Sequence, residues 1–376
     1  SAMHIAYVCL DPGIPVFGTK GASVHIQEVV REYRRRGHDV TVYATRRGSD
    51  VPDDLAELRI VDVPITTRDE EERERAQQAA SASVSDMVRA GGYDLVYERY
   101  SLFSTVIAEC GVPGILEVNA PLIDEQRTHR VLVDEQAADA ALQEQVQAAL
   151  ATICVSDPVR DWVIARTEGT RVFTVPNGVN VHRITPQPES PGAPVVTFVG
   201  TLKPWHGVDV LLRARAQAHK DWQLRIIGDG PMRAELDDLA RSLGIDVDFR
   251  GAVAPDAIPQ HMAGTAIGVA PYPAMDTDSD QYFSPLKVYE YMAAGLPVVA
   301  SRVGQLPEIM GESAYLVPPS APEALAEALD ALVANPVERA RVGSDNRRQA
   351  EREHSWTGTV DHILAHAGVK EDVPHG

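Results

Sequence analysis

The chain has few cysteines, few aromatic residues, a deficit of positive charge and no long apolar run. Its three cysteines in 376 residues, Cys9, Cys110 and Cys154, cannot form a disulfide framework, and their spacing fits no metal-binding pattern. Each lies in an apolar stretch, so buried thiols in a reducing compartment are expected. Thirty-five basic against fifty-four acidic residues leave a net charge of −19. That balance excludes a protein that grips nucleic acid or anionic lipid through its overall field, although a local basic site for phosphates stays open. No stretch approaches the roughly 18 consecutive apolar residues of a membrane span, which leaves peripheral membrane contact open. No signal-peptide pattern precedes the first strand, so a cytoplasmic location is expected.

What is present is an alternation of short apolar runs with helical patterns, the mark of a parallel sheet covered by helices. Strands are predicted at His4–Leu10, Asp39–Ala44, Leu58–Val63, Tyr93–Glu98, Gly114–Val118, Thr152–Val155 and Val172–Val175. Helices are predicted near Ser23–Arg36, Asp69–Ala90 and Asp134–Leu150. Four prolines fall within Thr185–Pro194, which can neither pair as a central strand nor continue a helix. Beyond this stretch the alternation restarts at Val195. The expected architecture is therefore α/β, two Rossmann-like doubly wound parallel-sheet domains, residues 1–184 and 195–353, with 185–194 as linker. Ligands of such sheets bind outside the carboxyl ends of the strands, so a cleft between the halves is the expected site.

Two stretches of the second half suit a phosphate-bearing ligand. Strand Val195–Gly200 runs into Gly200-Thr201-Leu202-Lys203-Pro204-Trp205-His206-Gly207 and then into a helix. Glycine at a strand end lets a phosphate approach the backbone, the helix N-terminus favours an anion, and Lys203 adds charge. Further on, Ser284 suits an N-cap and Pro285 the first helical position, in the stretch Tyr282-Phe283-Ser284-Pro285-Leu286-Lys287. Glu290 follows one and a half turns later, where a carboxylate can accept both hydroxyls of a ribose. Two readings of Lys287 stay open: a second phosphate cation, or an exposed helix lysine paired locally.

These stretches, with Val175-Pro176-Asn177-Gly178-Val179-Asn180 and Ile227-Gly228-Asp229-Gly230-Pro231, resemble the retaining glycosyltransferases of family 4, which have the two-Rossmann GT-B architecture. The resemblance covers nearly the whole chain, including Trp356 at the start of a final segment, 354–376, that returns to the N-terminal domain in the family. It implies a nucleoside-diphosphate sugar as co-substrate, UDP by family frequency, with no cofactor and no catalytic metal. Lys203 resembles the family's diphosphate cation and Glu290 its ribose glutamate. Gly200 and Gly228 resemble its phosphate-side glycines, and Val253 and Ile258 fall where it holds the base. Two departures stand out. Tyr282 occupies the position of an acid that often contacts the donor sugar, and the usual basic residues of the glycine loop are replaced by Thr201 and His206. His206 either donates to a phosphate when protonated or packs beside Trp205.

Asp276-Thr277-Asp278-Ser279-Asp280 carries two overlapping DxD patterns. It reads as a flexible acidic loop, as a replacement for the acid missing at Tyr282, or as a metal site. On the N-terminal side, Gly18–Ser23 resembles the family's glycine-rich loop, with Gly21 near the diphosphate and Lys20 or His25 toward the acceptor. Arg99, Glu117 and Asn119 lie at predicted strand ends and complete an expected acceptor wall. The resemblance implies a hexosyltransferase in which a donor phosphate oxygen takes the proton of an acceptor hydroxyl on a glycan, lipid-linked or small-molecule substrate. The composition fits a bacterial source. A sugar-nucleotide epimerase and a non-catalytic sugar-nucleotide-binding protein are the alternatives on the same fold.

Overall fold

The computed structural model describes residues 2–274, 286–311 and 315–371. They fall into two compact units, Ser1–Asn177 with Thr359–Gly376, and Gly178–Gly358. The chain thus passes between units at Asn177–Gly178 and again at Gly358–Thr359. The proline-rich stretch read above as a linker is anchored within the second unit. There Glu189 pairs with Arg339 at 2.9 Å and the Ser190 amide donates to the Gly264 carbonyl at 2.9 Å.

The first unit carries seven strands: β1 (His4–Cys9), β2 (Asp39–Ala44), β3 (Arg59–Asp62), β4 (Leu95–Arg99), β5 (Gly114–Val118), β6 (Ala151–Cys154) and β7 (Val172–Thr174). They pair in parallel in the order β3-β2-β1-β4-β5-β6-β7. The central strands are buried on both faces, which is why they read as continuous apolar runs rather than alternating ones. The helices are α1 (Gly21–Arg35), α2 (Glu70–Ala90), α3 (Val106–Glu109), α4 (Leu122–His129), α5 (Glu135–Ala148) and α6 (Asp157–Thr167). Asp69 caps α2 by accepting from the Glu72 amide, and Asp134 caps α5 by accepting from the Ala137 amide. All three cysteines are free and buried. Helices α4 and α6 went without a sequence signal because their buried faces are thin: Ile123 alone in α4, Val159 and Val163 in α6.

The second unit has β8 (Val195–Val199), β9 (Gln223–Ile227), β10 (Asp248–Phe249), β11 (Thr265–Ala270), β12 (Val298–Ser301) and β13 (Leu316–Val317). Their parallel order is β10-β9-β8-β11-β12-β13. The helices following the strands are α7 (Val208–Gln217), α8 (Arg233–Leu243), α9 (Ile258–Met262), α10 (Leu286–Ala293), α11 (Leu306–Met310), α12 (Pro322–Val333) and α13 (Pro336–Gln349). A last helix, α14 (Trp356–Ala367), contains the second passage between units. Each sheet reverses its strand order once, at β1/β4 and at β8/β11. A doubly wound sheet opens a crevice at that point. No described helix is long and apolar enough to cross a membrane.

Candidate functional site

In the second unit the site residues gather where β8 and β11 part. The two strands pair only as far as Thr197 and Gly268. Beyond that the buried Tyr291 hydroxyl of α10 lies between them, accepting from the Val199 amide and donating to the Val269 carbonyl, both at 2.9 Å. Gly268 leaves room for the ring, since a Cβ there would lie 2.4 Å from it. Tyr291 therefore clamps α10 against the strand ends, and α10 carries Lys287 and Glu290. No sequence signal marked Tyr291, because an aromatic at a buried helical position reads as ordinary core.

The backbone at the strand ends is glycine by necessity. A Cβ on Gly228 (φ +143°) would fall 1.8 Å from the Gly200 carbonyl oxygen, and the Gly228 amide donates to the Gly251 carbonyl at 2.8 Å. Gly228→Ala is expected to destabilise the second unit by about 3 kcal/mol through this overlap and the strained φ. Denaturant unfolding checks it, and an unchanged midpoint would contradict the packing described.

Glu290 is half-buried. Burial raises its carboxyl to about 7, against the opposing pull of Arg183 and Lys287. Arg183 lies outside every motif singled out from the sequence. Lys287 departs from the exposed, locally paired reading. Its ammonium lies 4.1 Å from the Phe198 ring centre and 5.1 Å from that of Tyr272. It has no hydrogen-bond partner among the described residues. Burial pulls it down to about 7, with Glu290 acting in the opposite sense.

His206 also departs from one of its readings. Its ring stands edge-on to Trp205 at 6.2 Å, and its Nδ1 faces the Thr201 carbonyl, so Nδ1 carries the ring proton. Burial, then Lys287, lower it to about 4. At that value the ring is neutral near pH 7. Lys203 is half-buried, its ammonium 5.1 Å from the face of the exposed Trp205. Val253 and Ile258 pack on the apolar cluster that contains Val199, Ile227 and Tyr289. Leu286 is exposed. Tyr282, Phe283, Ser284, Pro285 and the Asp276–Asp280 loop lie outside the described residues.

In the first unit, β4, β5 and α1 bring His25, Arg99, Glu117 and Asn119 together. Glu117 Oε2 lies 3.3 Å from His25 Nε2 and accepts from the Tyr97 hydroxyl at 2.5 Å. Its other oxygen accepts from Asn119 at 2.8 Å and lies 3.7 Å from Arg99. Burial alone would raise this carboxyl, but His25, Arg99 and Tyr97 together hold it at about 2. His25, Arg99 and Glu117 are all buried, so the cluster is largely satisfied from within. Lys20 and Gly21 are exposed at the start of α1, and a Cβ on Gly21 would meet open space.

A cavity of about 440 Å³ opens beside this cluster's sheet edge, lined among others by Asp11, Arg73, Gln77, Gln126, His129 and Arg130. None of these came forward from the sequence. Arg73 lies on an acidic helix that reads as a solvated face, and 126–130 belong to the unread helix α4 and its end.

Two parallel-sheet α/β units, each reversing its strand order once, make the GT-B fold. The chain belongs to glycosyltransferase family 4. Residues 19–183 match the family model Glycosyltransferase Family 4, and residues 193–335 match Glycosyl transferases group 1. A D-inositol 3-phosphate glycosyltransferase of Saccharomonospora viridis is 30% identical over 401 residues, covering 92% of this chain and 89% of that one. An MMP alpha-(1->4)-mannosyltransferase of Mycolicibacterium hassiacum is 24% identical over 397 residues, covering 92% and 93%. The crystal structure of Anabaena HepE with UDP and glucose superposes with a TM-score of 0.68 at 20% identity, covering 96% of this chain and 98% of that one.

Proposed function

We propose that the protein is a retaining, metal-independent hexosyltransferase. It moves a mannosyl- or glucosyl-type sugar from a nucleoside-diphosphate sugar, UDP in our reading, to an acceptor hydroxyl. The observation that carries this reading is the gathering of Gly200, Glu290 and the Lys203 loop at one strand-order reversal. The carboxylate of Glu290 suits a ribose, and the glycine-lined strand ends suit a diphosphate. Val253 and Ile258 are assigned to the base. The activities of the two relatives support a sugar-transfer reaction, and the HepE complex supports UDP and a hexose on this fold.

In the proposed reaction the acceptor oxygen attacks the anomeric carbon on the face from which the diphosphate leaves. The departing phosphate oxygen keeps the bonding electron pair and takes the acceptor proton. Preorganised charge near Gly200 and Lys203 stabilises that developing anion. The acceptor is assigned to the first unit, in the cavity near Arg73 and Arg130. Glu117 and His25 hold the neighbouring strand ends in place.

Incubation with UDP- and GDP-linked glucose and mannose tests this. The expected result is slow release of nucleoside diphosphate with water as default acceptor, faster with a hydroxyl acceptor, unaffected by EDTA, with the donor's anomeric configuration retained by NMR. Epimerised donor without released diphosphate would instead establish an epimerase. Tight binding without turnover would establish a binding protein, the outcome to which the acid missing at Tyr282 points.

A further inference from the structure

We propose that Lys287, reaching the end of β8 from helix α10, supplies the principal positive charge for the donor diphosphate, in place of the cations missing from the glycine loop at Thr201 and His206. The proposal rests on the reading of the second unit as a nucleoside-diphosphate site.

The glycine loop is poor in usable charge. Thr201 is neutral, His206 is turned to the Thr201 carbonyl, and Lys203 lies against the face of Trp205. Lys287 approaches the same place from the other side. A Cβ built on Gly200 would lie 2.7 Å from its Nζ, so the ammonium stands directly beside the backbone where β8 ends. The rings of Phe198 and Tyr272 flank it and keep water away. An ammonium has three donors, and none of those of Lys287 has an acceptor among the described residues.

A structural role explains this poorly. If position 287 served only to pack α10 on β8, a methionine would fill the same volume without burying an amine. Nor is Lys287 placed to form a tight salt bridge with Glu290, since the two make no ion pair within 4 Å among the contacts described. Glu290 is one turn away on the same helix and biases the amine toward its charged form. The partner that the Lys287 donors can take is an anion at the end of β8. A diphosphate oxygen placed there satisfies the amine, and the glycine at 200 leaves the space for it. The arrangement also keeps α10 as the carrier of both recognition charges, the cation for the phosphates and the carboxylate for the ribose.

The test compares uridine, UMP and UDP, with the guanosine series in parallel, on the full-length protein and the variants Lys287→Met and Lys287→Met/His206→Lys. Wild type is expected to gain affinity steeply from nucleoside to diphosphate. Lys287→Met should lose about 100-fold in diphosphate affinity, keep nucleoside affinity within about threefold, and melt higher than wild type when ligand-free. Returning a cation to the loop with His206→Lys should recover at least about tenfold. Equal loss of nucleoside and diphosphate in Lys287→Met, or unchanged diphosphate affinity, overturns the assignment while leaving the nucleotide site intact. Failure of the wild type to bind any nucleotide overturns the underlying reading instead.

Discussion

Glu290→Gln is expected to raise the donor KM by about 100- to 1000-fold, with the protein still folded. A carboxylate accepting from two ribose hydroxyls makes two charge-assisted hydrogen bonds, each contributing about 1.5–3 kcal/mol. Glutamine offers one acceptor and turns an amide toward the second hydroxyl, which loses both the charge and one bond. The pH dependence carries the same signature. Burial holds the Glu290 carboxyl at about 7, so the acceptor form is lost as pH falls through that value. Nucleoside affinity, which does not involve the phosphate cation, should therefore rise between about pH 6 and 8 in the wild type and stay flat over that range in Glu290→Gln. The diphosphate adds an opposing loss as the Lys287 ammonium, also held at about 7, gives up its proton. Titration calorimetry with uridine and guanosine reads the pH effect, and with UDP and GDP the loss of donor affinity. A glutamine variant with native affinity, or a wild type with no acid limb, would remove Glu290 from the site.

Glu117→Ala should cost about 3–5 kcal/mol of stability, because it strands Arg99 and His25 in a buried network built on one carboxylate. In a unit of this size that is a fall of roughly 10 °C in melting temperature. The folded-state carboxyl sits at about 2, below its ordinary 4.5. Its stabilisation is therefore fully present above about pH 4.5 and is lost as pH falls toward 2, a contribution of about 3 kcal/mol. Wild type should lose stability across that acid window more steeply than Glu117→Ala, whose curve starts lower and runs flatter. Parallel acid titration curves would show that the cluster does not depend on this ion. Nucleotide affinity should be unchanged in Glu117→Ala wherever the protein is folded, which separates this scaffold role from the donor site.

Much of the architecture could be read before any coordinates, and the reasons are local. Strands such as Asp39–Ala44 and Gly114–Val118 fall where expected, because a strand buried on both faces is an unbroken apolar run between polar turns. Asp69 and Asp134 announce α2 and α5 through capping chemistry that involves only the neighbouring residues. Helices that escaped notice, α4 and α6 among them, bury one or two side chains and so leave no period to detect. In the site, Glu290 was legible because its helix and spacing belong to one short stretch. Arg183 was not, since it is more than a hundred residues away and meets Glu290 only in the folded second unit. The cavity near Arg73 and Arg130 was equally silent, being assembled from the ends of several elements.

The sequence by itself determined the kind of fold, the order of the elements and the family, because these follow from periodicity, turns and short motifs along the chain. Only the tertiary structure decided what the charges do. Lys287 stays open between a phosphate cation and an exposed helix lysine until Tyr291 pins that helix between β8 and β11 and buries the amine beside Gly200. His206 stays open between a phosphate donor and a partner of Trp205 until burial and the nearby Lys287 make it neutral, its Nδ1 turned to the Thr201 carbonyl. Charge state depends on solvent exclusion and on neighbours distant in the chain, and neither quantity exists before the chain has folded.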